Sequence, residues 1–444
     1  MIISTKMVIA ISPAFVLFIL TTSLTFRKGC YMKKDSNSPQ EIAQSKMPTI
    51  FDRSCMNLVI NLFSKIKMGG LTFYLPDGSL RHFGDKNSSR QAQMTIHDYR
   101  FFKDAVLGGD IGIGEAYMKG LWDTDDIPAL FSVLIKNRQA LANGNMTTAW
   151  LVHQKDRLMH TLRANTLIGS RRNIGKHYDL SNDFFQTFLD PTMLYSCGLY
   201  SGESDTCEDA QHRKLQSIID KACIKSTDHV LEIGCGWGGF AMEAVKQTGC
   251  RVTGITVSEE QYQLARERVR QAGLQDKITI LFKDYRHVAG LFDKIVSIEM
   301  LEAVGHKYLG AFFATCDKLL KPAGRLVIQV ITIPDQSYEK YRHKTDWIQK
   351  YIFPGGHLPS VTAMSQVVTK HTGLLMEQLE DIGTNYARTL KDWRKSFTRN
   401  LDKINSLGFD EIFQRKWIYY LAICEAGFRE RAIGDIQVVF RKPA

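Results

Sequence analysis

The chain has 444 residues, of which 44% are hydrophobic and 23% are charged, and its formal net charge is +11 at pH 7. This composition is ordinary for a globular protein, and it excludes a largely disordered chain or a polytopic membrane protein. The positive charge suits nucleic acid or an anionic membrane face, but no zinc spacing, aromatic RNA-binding motif or long Lys/Arg tract supports nucleic acid.

The N-terminal segment "MVIAISPAFVLFILTTSLTF", residues 7–26, contains no charge and is long enough to span a bilayer as a helix. Arg27 and Lys28 follow it, whereas a cleaved signal peptide has a shorter apolar run and a small-residue cleavage site. We therefore predict a single-pass anchor over residues 1–34, with a signal or transit sequence as the alternative. The basic flank favours a cytoplasmic catalytic domain, and the polar residues 35–49 indicate a tether.

Residues 50–155 predict a small mixed accessory domain that supports the next one. The stretch "LTFYLPDGSLRHFG" has two short apolar runs around a Pro-Asp-Gly turn and predicts a β-hairpin. Helical spacing of apolar residues follows, and it is broken at Gly108 and Gly109 and again at residues 123–126. Nothing in this region has the spacing of a catalytic motif.

Residues 156–444 predict a second domain of the α/β class. Its five strand candidates are "HVLEIG", "RVTGIT", "KITILF", "KIVSIEM" and "RLVIQVITI". Repeated strand–helix units of this kind predict a Rossmann-like parallel sheet with helices on both faces. "LLMEQLEDI" and "DIQVVFRK" are candidate edge strands.

The stretch "VLEIGCGWGGF" places a glycine-rich turn between a strand and a helix. Gly234 and Gly236 allow the backbone to turn tightly and to approach a ligand, although a plain strand-to-helix turn is the alternative. A dinucleotide fold should carry an acidic residue at the end of the second strand, but Thr256 and Ser258 stand there. No Gly-Lys-Ser/Thr follows the loop, which disfavours a nucleotide hydrolase.

Glu232 precedes the glycines, and the pattern E-x-G-x-G-x-G resembles motif I of class I S-adenosylmethionine-dependent methyltransferases. Further stretches are similar to one branch of that superfamily: "GKHYDLSNDFFQTFLDPTMLYSCGLY", "DYRHVAGLFDKIVSIEMLEAVGHKYL", "YIFPGGHLPS" and "YYLAICEAGFRERAIGDIQVVF". Together they resemble the cyclopropane-fatty-acyl-phospholipid synthase and mycolic acid cyclopropane synthase family. The resemblance implies the methyltransferase sheet and S-adenosylmethionine as cofactor.

In that family the cis double bond of a lipid acyl chain attacks the sulfonium methyl group, and loss of a proton from that methyl closes a cyclopropane ring. The site must orient the methyl group, shield a carbocation from water and place a base beside the new methyl. The resemblance implies an unsaturated phospholipid acyl chain and a membrane as partners, and bicarbonate as the base.

The resemblance assigns the bicarbonate site to Cys197, Glu302, Tyr386 and the backbone of Ile331. Gln329 stands where the bacterial synthases have a histidine, and its amide can donate a hydrogen bond but cannot carry a proton at neutral pH. Cys424 is carried over as a further active-site candidate, with buried packing as the alternative. No metal ligand set is predicted, because the nine cysteines are scattered and never in CxxC spacing.

The residues that the resemblance assigns to the cofactor are Tyr195, Ser196, Glu232, Gly234, Gly236, Thr256, Gln261, Asp284, Tyr285 and Arg286. Among these, Tyr285 is expected against the adenine. Ser258 and Gln261 also match a capping box, so a helix cap is the simpler role for Ser258. The segment "YIFPGGHLPS" is expected at the mouth of an acyl tunnel.

Three other functions stay open from the sequence. The same first step could end in a methyl-branched lipid, and related plant enzymes methylate the nitrogen of small amines. Gln329 also allows a catalytically inactive lipid-binding relative. The sequence does not determine the acyl length, the double-bond position or the oligomeric state. A homodimer is one of the states that stay open.

Overall fold

The computed structural model describes residues 47–142 and 180–444. The predicted anchor, most of the predicted tether and the predicted domain boundary at residues 155 and 156 lie outside these ranges. Within them, no helix combines the length and the apolar character needed to cross a bilayer.

Residues 50–142 form a small sheet with helices. The elements are α1 (Ile50–Phe63), β1 (Gly70–Tyr74), β2 (Leu80–Gly84), β3 (Gln91–Ile96), α2 (Arg100–Met118), β4 (Trp122–Asp123), α3 (Ile127–Lys136) and α4 (Arg138–Ala142). The strand order is β2-β1-β3-β4. β1 and β2 pair antiparallel, which confirms the predicted hairpin.

Both predicted breaks in the helical pattern are confirmed. Helix α2 bends at Gly109, whose φ of 57° and ψ of −133° are not helical. The second break ends at Asp126, whose side chain caps α3 by accepting a 2.9 Å hydrogen bond from the backbone N–H of Ala129.

Residues 180–444 hold the larger sheet. Its helices are α5 (Asn182–Phe185), α6 (Cys207–Ala222), α7 (Gly239–Thr248), α8 (Glu259–Gln271), α9 (Leu309–Leu319), α10 (Asp335–Tyr341), α11 (Trp347–Tyr351), α12 (Val361–His371), α13 (Gly383–Arg399), α14 (Leu401–Ser406) and α15 (Glu411–Arg429). Its strands are β5 (His229–Ile233), β6 (Arg251–Thr256), β7 (Ile278–Phe282), β8 (Phe292–Ile298), β9 (Leu320–Thr332), β10 (Leu375–Asp381) and β11 (Gly434–Arg441). Short 3-10 turns lie at Tyr285–His287, Leu301–Ala303 and His306–Tyr308.

The five predicted strands are confirmed as the parallel strands β5 to β9, in a sheet of order β10-β11-β9-β8-β5-β6-β7. The expectation that β11 is an edge strand is wrong, since it lies between β9 and β10 and is antiparallel to both. Val438 and Val439 explain the difference, because they pack into clusters on opposite faces of the sheet. A strand buried on both faces belongs in the interior. β10 is exposed along its length and forms the edge.

The sheet brings the carboxyl ends of β5, β6, β8 and β9 to one side. β5 lies between β6 and β8, so the chain reverses its direction of travel across the sheet at this point. Ligands of open α/β sheets bind outside the strand ends at such a switch point.

Helix α15 of the larger sheet region packs against α2 and α3 of the smaller one. Tyr117 on α2 and Tyr419 on α15 stack there with ring centroids 5.4 Å apart.

Candidate active site

The glycine-rich loop follows β5 at the switch point. Gly234 and Gly236 have φ values of 84° and 51°, in the left-handed region that glycine adopts without strain. A Cβ on Gly234 would lie 2.7 Å from Cγ of Met300, so a larger side chain has no room there. The N–H groups of Gly234 and Cys235 both donate to the carbonyl oxygen of Ile255, which ties the loop to β6.

All ten residues that the family resemblance assigns to the cofactor line one cavity of about 150 Å³ beside this loop. Glu232 lies on its wall, and Oε2 of this buried carboxyl has no hydrogen-bond partner among the described residues. Burial raises the pKa of Glu232 well above its ordinary value. A buried oxygen that lacks a donor fits the ammonium group of S-adenosylmethionine, so the residues present suit this cofactor.

The start of α8 combines a helix cap with a wall of the cavity. Oγ of Ser258 accepts from the backbone N–H of Gln261 at 3.3 Å, which confirms the cap. The side chain of Gln261 does not complete the predicted capping box. Its Oε1 instead accepts a 2.9 Å hydrogen bond from the hydroxyl of Thr256, and both residues line the cavity.

A second wall comes from the turn after β7. The carboxylate of Asp284 pairs with the guanidinium of Arg286 at 2.7 Å and also caps the 3-10 turn. Although burial opposes it, the bonds from Arg286 hold the pKa of Asp284 below its usual value. This pair fixes the turn that carries Tyr285, whose ring packs edge-on against Phe312.

A second, apolar cavity of about 410 Å³ lies between β9, α11, α13 and α15. That volume is in the range of small-molecule binding pockets, about 300–1,000 Å³. The segment from Phe353 to Leu358, within the predicted tunnel mouth, lines it, as do Glu302, Ile331 and Cys424. Its aromatic wall consists of Phe131, Tyr341, Trp347, Phe353, Tyr386, Tyr419, Tyr420 and Phe428.

The two cavities share three wall residues, Tyr195, Glu299 and Ala303. The hydroxyl of Tyr195 donates to that of Tyr420 at 2.9 Å, which links the cofactor side to the aromatic wall. Glu299 was not among the residues singled out from the sequence. It follows β8, three residues before Glu302 in "EMLE", and paired acids at a strand's carboxyl end were the signal for it.

Glu299 accepts hydrogen bonds from three donors. Oε1 accepts from the backbone N–H of Cys197 and from Nε2 of Gln329, both at 2.8 Å. Oε2 accepts from the hydroxyl of Tyr386 at 2.6 Å. Burial raises the pKa of Glu299, while these donors and the charge of Lys214 oppose the rise. Three donors around one carboxyl group favour the ionised form.

The donors that the family resemblance assigns to bicarbonate are already engaged within the chain, so the residues present do not fit this anion. The donors of Cys197, Gln329 and Tyr386 are engaged with Glu299, a carboxylate of the chain itself. The backbone N–H of Ile331 donates to Oε1 of Glu302 at 2.6 Å. The assigned donors thus already have anionic or carboxyl partners within the protein.

Cys197 takes part through its backbone. The thiol is fully buried, lines neither cavity, and lies 3.3 Å from the carbonyl oxygen of Gly198 and 3.9 Å from that of Ile382. Burial raises the pKa of the thiol well above its usual value. The contact of Cys197 with Glu299 therefore runs through its N–H group and not through its sulfur.

Two more residues near Glu299 were missed. Lys214 is fully buried on α6, and its ammonium donates to Oγ of Ser196 at 2.6 Å. Asp435 is fully buried on β11, where burial and the charges of Glu299 and Glu302 raise its pKa well above the ordinary value. No sequence motif predicts a functional role for either residue, because α6 and β11 carry no recognisable functional pattern.

Comparisons with known proteins agree with this geometry. Residues 166–438 match the profile of the family described as mycolic acid cyclopropane synthetase. The chain is 39% identical over 338 residues to tuberculostearic acid methyltransferase of Mycobacterium tuberculosis, which covers 72% of this chain and 76% of the relative. It is 37% identical over 360 residues to cyclopropane-fatty-acyl-phospholipid synthase of Escherichia coli, with 80% and 89% covered. A crystal structure of a mycolic acid cyclopropane synthase complexed with SAH and CTAB aligns with a TM-score of 0.57 and 29% identity, over 61% of this chain and 98% of that one.

Proposed function

Because the chain belongs to the mycolic acid cyclopropane synthetase family, we propose that it forms a cyclopropane ring on the cis double bond of an unsaturated acyl chain in a phospholipid. It is an S-adenosylmethionine-dependent methyltransferase. The Escherichia coli relative is named for this product in phospholipid, and this chain covers 89% of its length.

The junction of the two cavities carries the proposal. One cavity is bounded by the glycine loop, and the other is a largely apolar space of about 410 Å³. Tyr195, Glu299 and Ala303 border both, so a cofactor in the first cavity and an acyl chain in the second would meet at these residues. Transfer of a methyl group requires this approach of the two reactants.

The residues of the first cavity hold and orient the cofactor. When bound, S-adenosylmethionine supplies an electrophilic methyl group to the double bond, and a carbocation is left on the acyl chain. Gly234 lets the loop approach the ligand closely, and Glu232 supplies an acceptor for the ammonium group. Asp284 and Arg286 hold the turn that carries Tyr285.

The second cavity protects the carbocation from water. Its aromatic wall excludes solvent from the acyl chain, which limits attack by hydroxide or water. Tyr195 at the junction lies against Trp393 and Phe185, with ring centroids 5.2 and 5.5 Å apart. An aromatic face attracts a nearby cation electrostatically, so this ring stabilises the positive charge where it forms.

A methyl-branched lipid is the second candidate product, because the relative from Mycobacterium tuberculosis is named as a methyltransferase. The first step is the same in both cases. The outcomes differ in which proton leaves: one from the transferred methyl closes a ring, and one from a neighbouring chain carbon leaves a branched alkene.

We also propose that the protein acts at a membrane surface, where phospholipid acyl chains are found. The net charge of +11 favours an anionic bilayer. The uncharged residues 7–26 are long enough for a membrane anchor, and their basic flank favours the cytoplasmic side for the catalytic domain.

The experiment uses the full chain, S-adenosylmethionine labelled with ¹³C in the methyl group, and vesicles of dioleoylphosphatidylglycerol. The fatty acids are released and analysed by mass spectrometry before and after catalytic hydrogenation. Label in a chain that has lost its double bond and gains no hydrogen supports the ring. Label in a chain that still takes up hydrogen supports the branched product. Transfer only to added small amines, or no transfer at all, would contradict the lipid proposal.

A further inference from the structure

We propose that Glu299 is the base that removes the proton from the transferred methyl group, in place of a bound anion. The inference rests on the proposed function, since it assigns a catalytic residue for that reaction. It also explains why the residues present do not fit bicarbonate.

Glu299 lies where the two cavities meet. It is the only carboxylic residue on the walls of both cavities within the described ranges. A base for this step must reach the methyl carbon after transfer, at the boundary of the cofactor and the acyl chain. Glu302 lines only the apolar cavity, and Glu232 lines only the cavity beside the glycine-rich loop.

The hydrogen bonds of Glu299 are the second argument. The N–H of Cys197, the amide of Gln329 and the hydroxyl of Tyr386 come from three separate parts of the chain and converge on this carboxylate. The family resemblance assigns these same positions to an anion. The side chain of Glu299 therefore supplies a carboxylate that the donors hold in a fixed place.

The charges around Glu299 are the third argument. Glu302 and Asp435 each have an oxygen without a hydrogen-bond partner among the described residues, and burial raises the pKa of both. An unpartnered buried oxygen favours the protonated form of each of these two carboxyl groups. Burial raises the pKa of Glu299, but the hydroxyl of Tyr386 and the ammonium of Lys214 oppose this rise and favour its ionised form.

The backbone at Glu299 is the fourth argument. Its φ of 47° lies in the left-handed region, which a glycine adopts more easily. Non-glycine residues in this region persist where the surrounding structure holds them, often at functional sites. A glutamate at a position that suits glycine points to a use for its side chain.

The step balances without a further reactant. The π electrons of the double bond form the new carbon–carbon bond as the sulfur–methyl bond breaks, and S-adenosylhomocysteine is released. One C–H bond of the methyl group then breaks. Its electron pair closes the ring at the cationic carbon, its proton goes to the carboxylate of Glu299, and the proton later returns to solvent.

The first test measures cyclopropane formation by the full chain on dioleoylphosphatidylglycerol vesicles, in buffer stripped of carbon dioxide and in the same buffer with sodium bicarbonate. The wild-type rate should differ by less than about twofold, whereas Glu299→Gln should lower kcat by about 100-fold or more, as expected for loss of a general base. S-adenosylmethionine binding by calorimetry should be retained. Glu302→Gln is the comparison variant and should lose less activity than Glu299→Gln.

The second test measures binding of ¹³C-bicarbonate by NMR line broadening and does not depend on turnover. Glu299→Gly suits the left-handed backbone and frees the three donors, so this variant should bind bicarbonate where the wild type does not. Added bicarbonate or formate should then raise its rate of ring formation. Thermal melts establish that the variant is folded.

Several results would overturn the proposal: a wild-type rate that collapses without bicarbonate, a Glu299→Gln variant with more than about a tenth of wild-type activity, or bicarbonate binding by the wild type that Tyr386→Phe weakens. If the wild type transfers no carbon to lipid, the proposed function fails instead. The comparison of bicarbonate binding between Glu299→Gly and the wild type then still shows whether the carboxylate of Glu299 occupies the position that the family resemblance assigns to bicarbonate.

Discussion

The hydroxyl of Tyr386 donates a 2.6 Å hydrogen bond to Oε2 of Glu299, while its ring stacks on Phe428 with centroids 4.4 Å apart. The phenol thus lies on the wall of the apolar cavity and at the same time orients the carboxylate where the two cavities meet. A short bond to a charged acceptor is stronger than a neutral one. Tyr386 therefore couples the packing around the substrate to the ionisation of Glu299.

Tyr386→Phe should move the acid limb of the kcat–pH profile to higher pH. The variant keeps the ring and removes the donor whose bond lowers the pKa of Glu299. The base acts only when ionised, so a higher pKa means that activity appears at higher pH, by about one to two units for a bond worth about 1.5–3 kcal/mol. The charged and titratable groups that face Glu299, namely Lys214, Asp435 and Glu302, are the same in both proteins. An unchanged acid limb would show that Glu299 does not control the rate.

Glu302→Gln should change how stability depends on pH. Burial raises the pKa of Glu302 from 4.5 to about 8. Below about pH 4.5 the carboxyl is protonated in both the folded and the unfolded protein, so the free energy of unfolding is at its full value. As the pH rises to about 8, the unfolded state releases this proton while the folded state retains it, and the free energy of unfolding falls. The free energy of unfolding of the variant should therefore gain several kcal/mol relative to the wild type across this window. Urea titrations at a series of pH values measure it, with the exposed Glu339→Gln as control; parallel curves for all three proteins would contradict the prediction.

Gly234→Ala should weaken the binding of S-adenosylmethionine. Gly234 and Gly273 both have positive φ values, 84° and 67°, so an alanine strains the backbone at either site. Only at Gly234 would the added Cβ meet Met300, and nothing lies within 4 Å at Gly273. Calorimetry should give a Kd raised about tenfold or more in Gly234→Ala and unchanged in Gly273→Ala. An equal loss in both variants would mean that the effect is general destabilisation.

Cys197→Ala should keep most of the activity. The contact between Cys197 and Glu299 runs through the backbone N–H, which alanine retains. Loss of the buried sulfur should cost about 1 kcal/mol of stability, and kcat should stay within about threefold of the wild type. Rates on vesicles and urea titrations measure the two effects. A folded variant with a much lower kcat would show that the thiol itself takes part.

The local parts of the fold follow from the sequence. Apolar runs of strand length and glycine punctuation predicted β5 to β9, the hairpin of β1 and β2 and the bend at Gly109, because these depend on neighbouring residues. The place of β11 depends on which strands pair with it. Its apolar residues on both faces were the available sign of an interior strand.

Some residues of the site are likewise predicted by local motifs, whereas others come together only in the folded chain. The ten cofactor positions came from motif resemblance, and they line one cavity, although their contacts with the cofactor stay predictions. Glu299 was missed because its donors lie 102, 30 and 87 residues away in the chain. Such convergence exists only after folding. Lys214 gave no signal either, since a lysine on an amphipathic helix is usually exposed.

Trideuterated S-adenosylmethionine tests directly whether the transferred methyl group loses a proton as the ring closes. The full chain is incubated with this cofactor and dioleoylphosphatidylglycerol vesicles, and the deuterium content of the modified acyl chain is measured by mass spectrometry. We expect a product that keeps two of the three deuterium atoms and resists hydrogenation, because one leaves when the ring closes. A modified chain that keeps all three, or deuterium found only outside the lipid, would contradict ring formation at the junction of the two cavities.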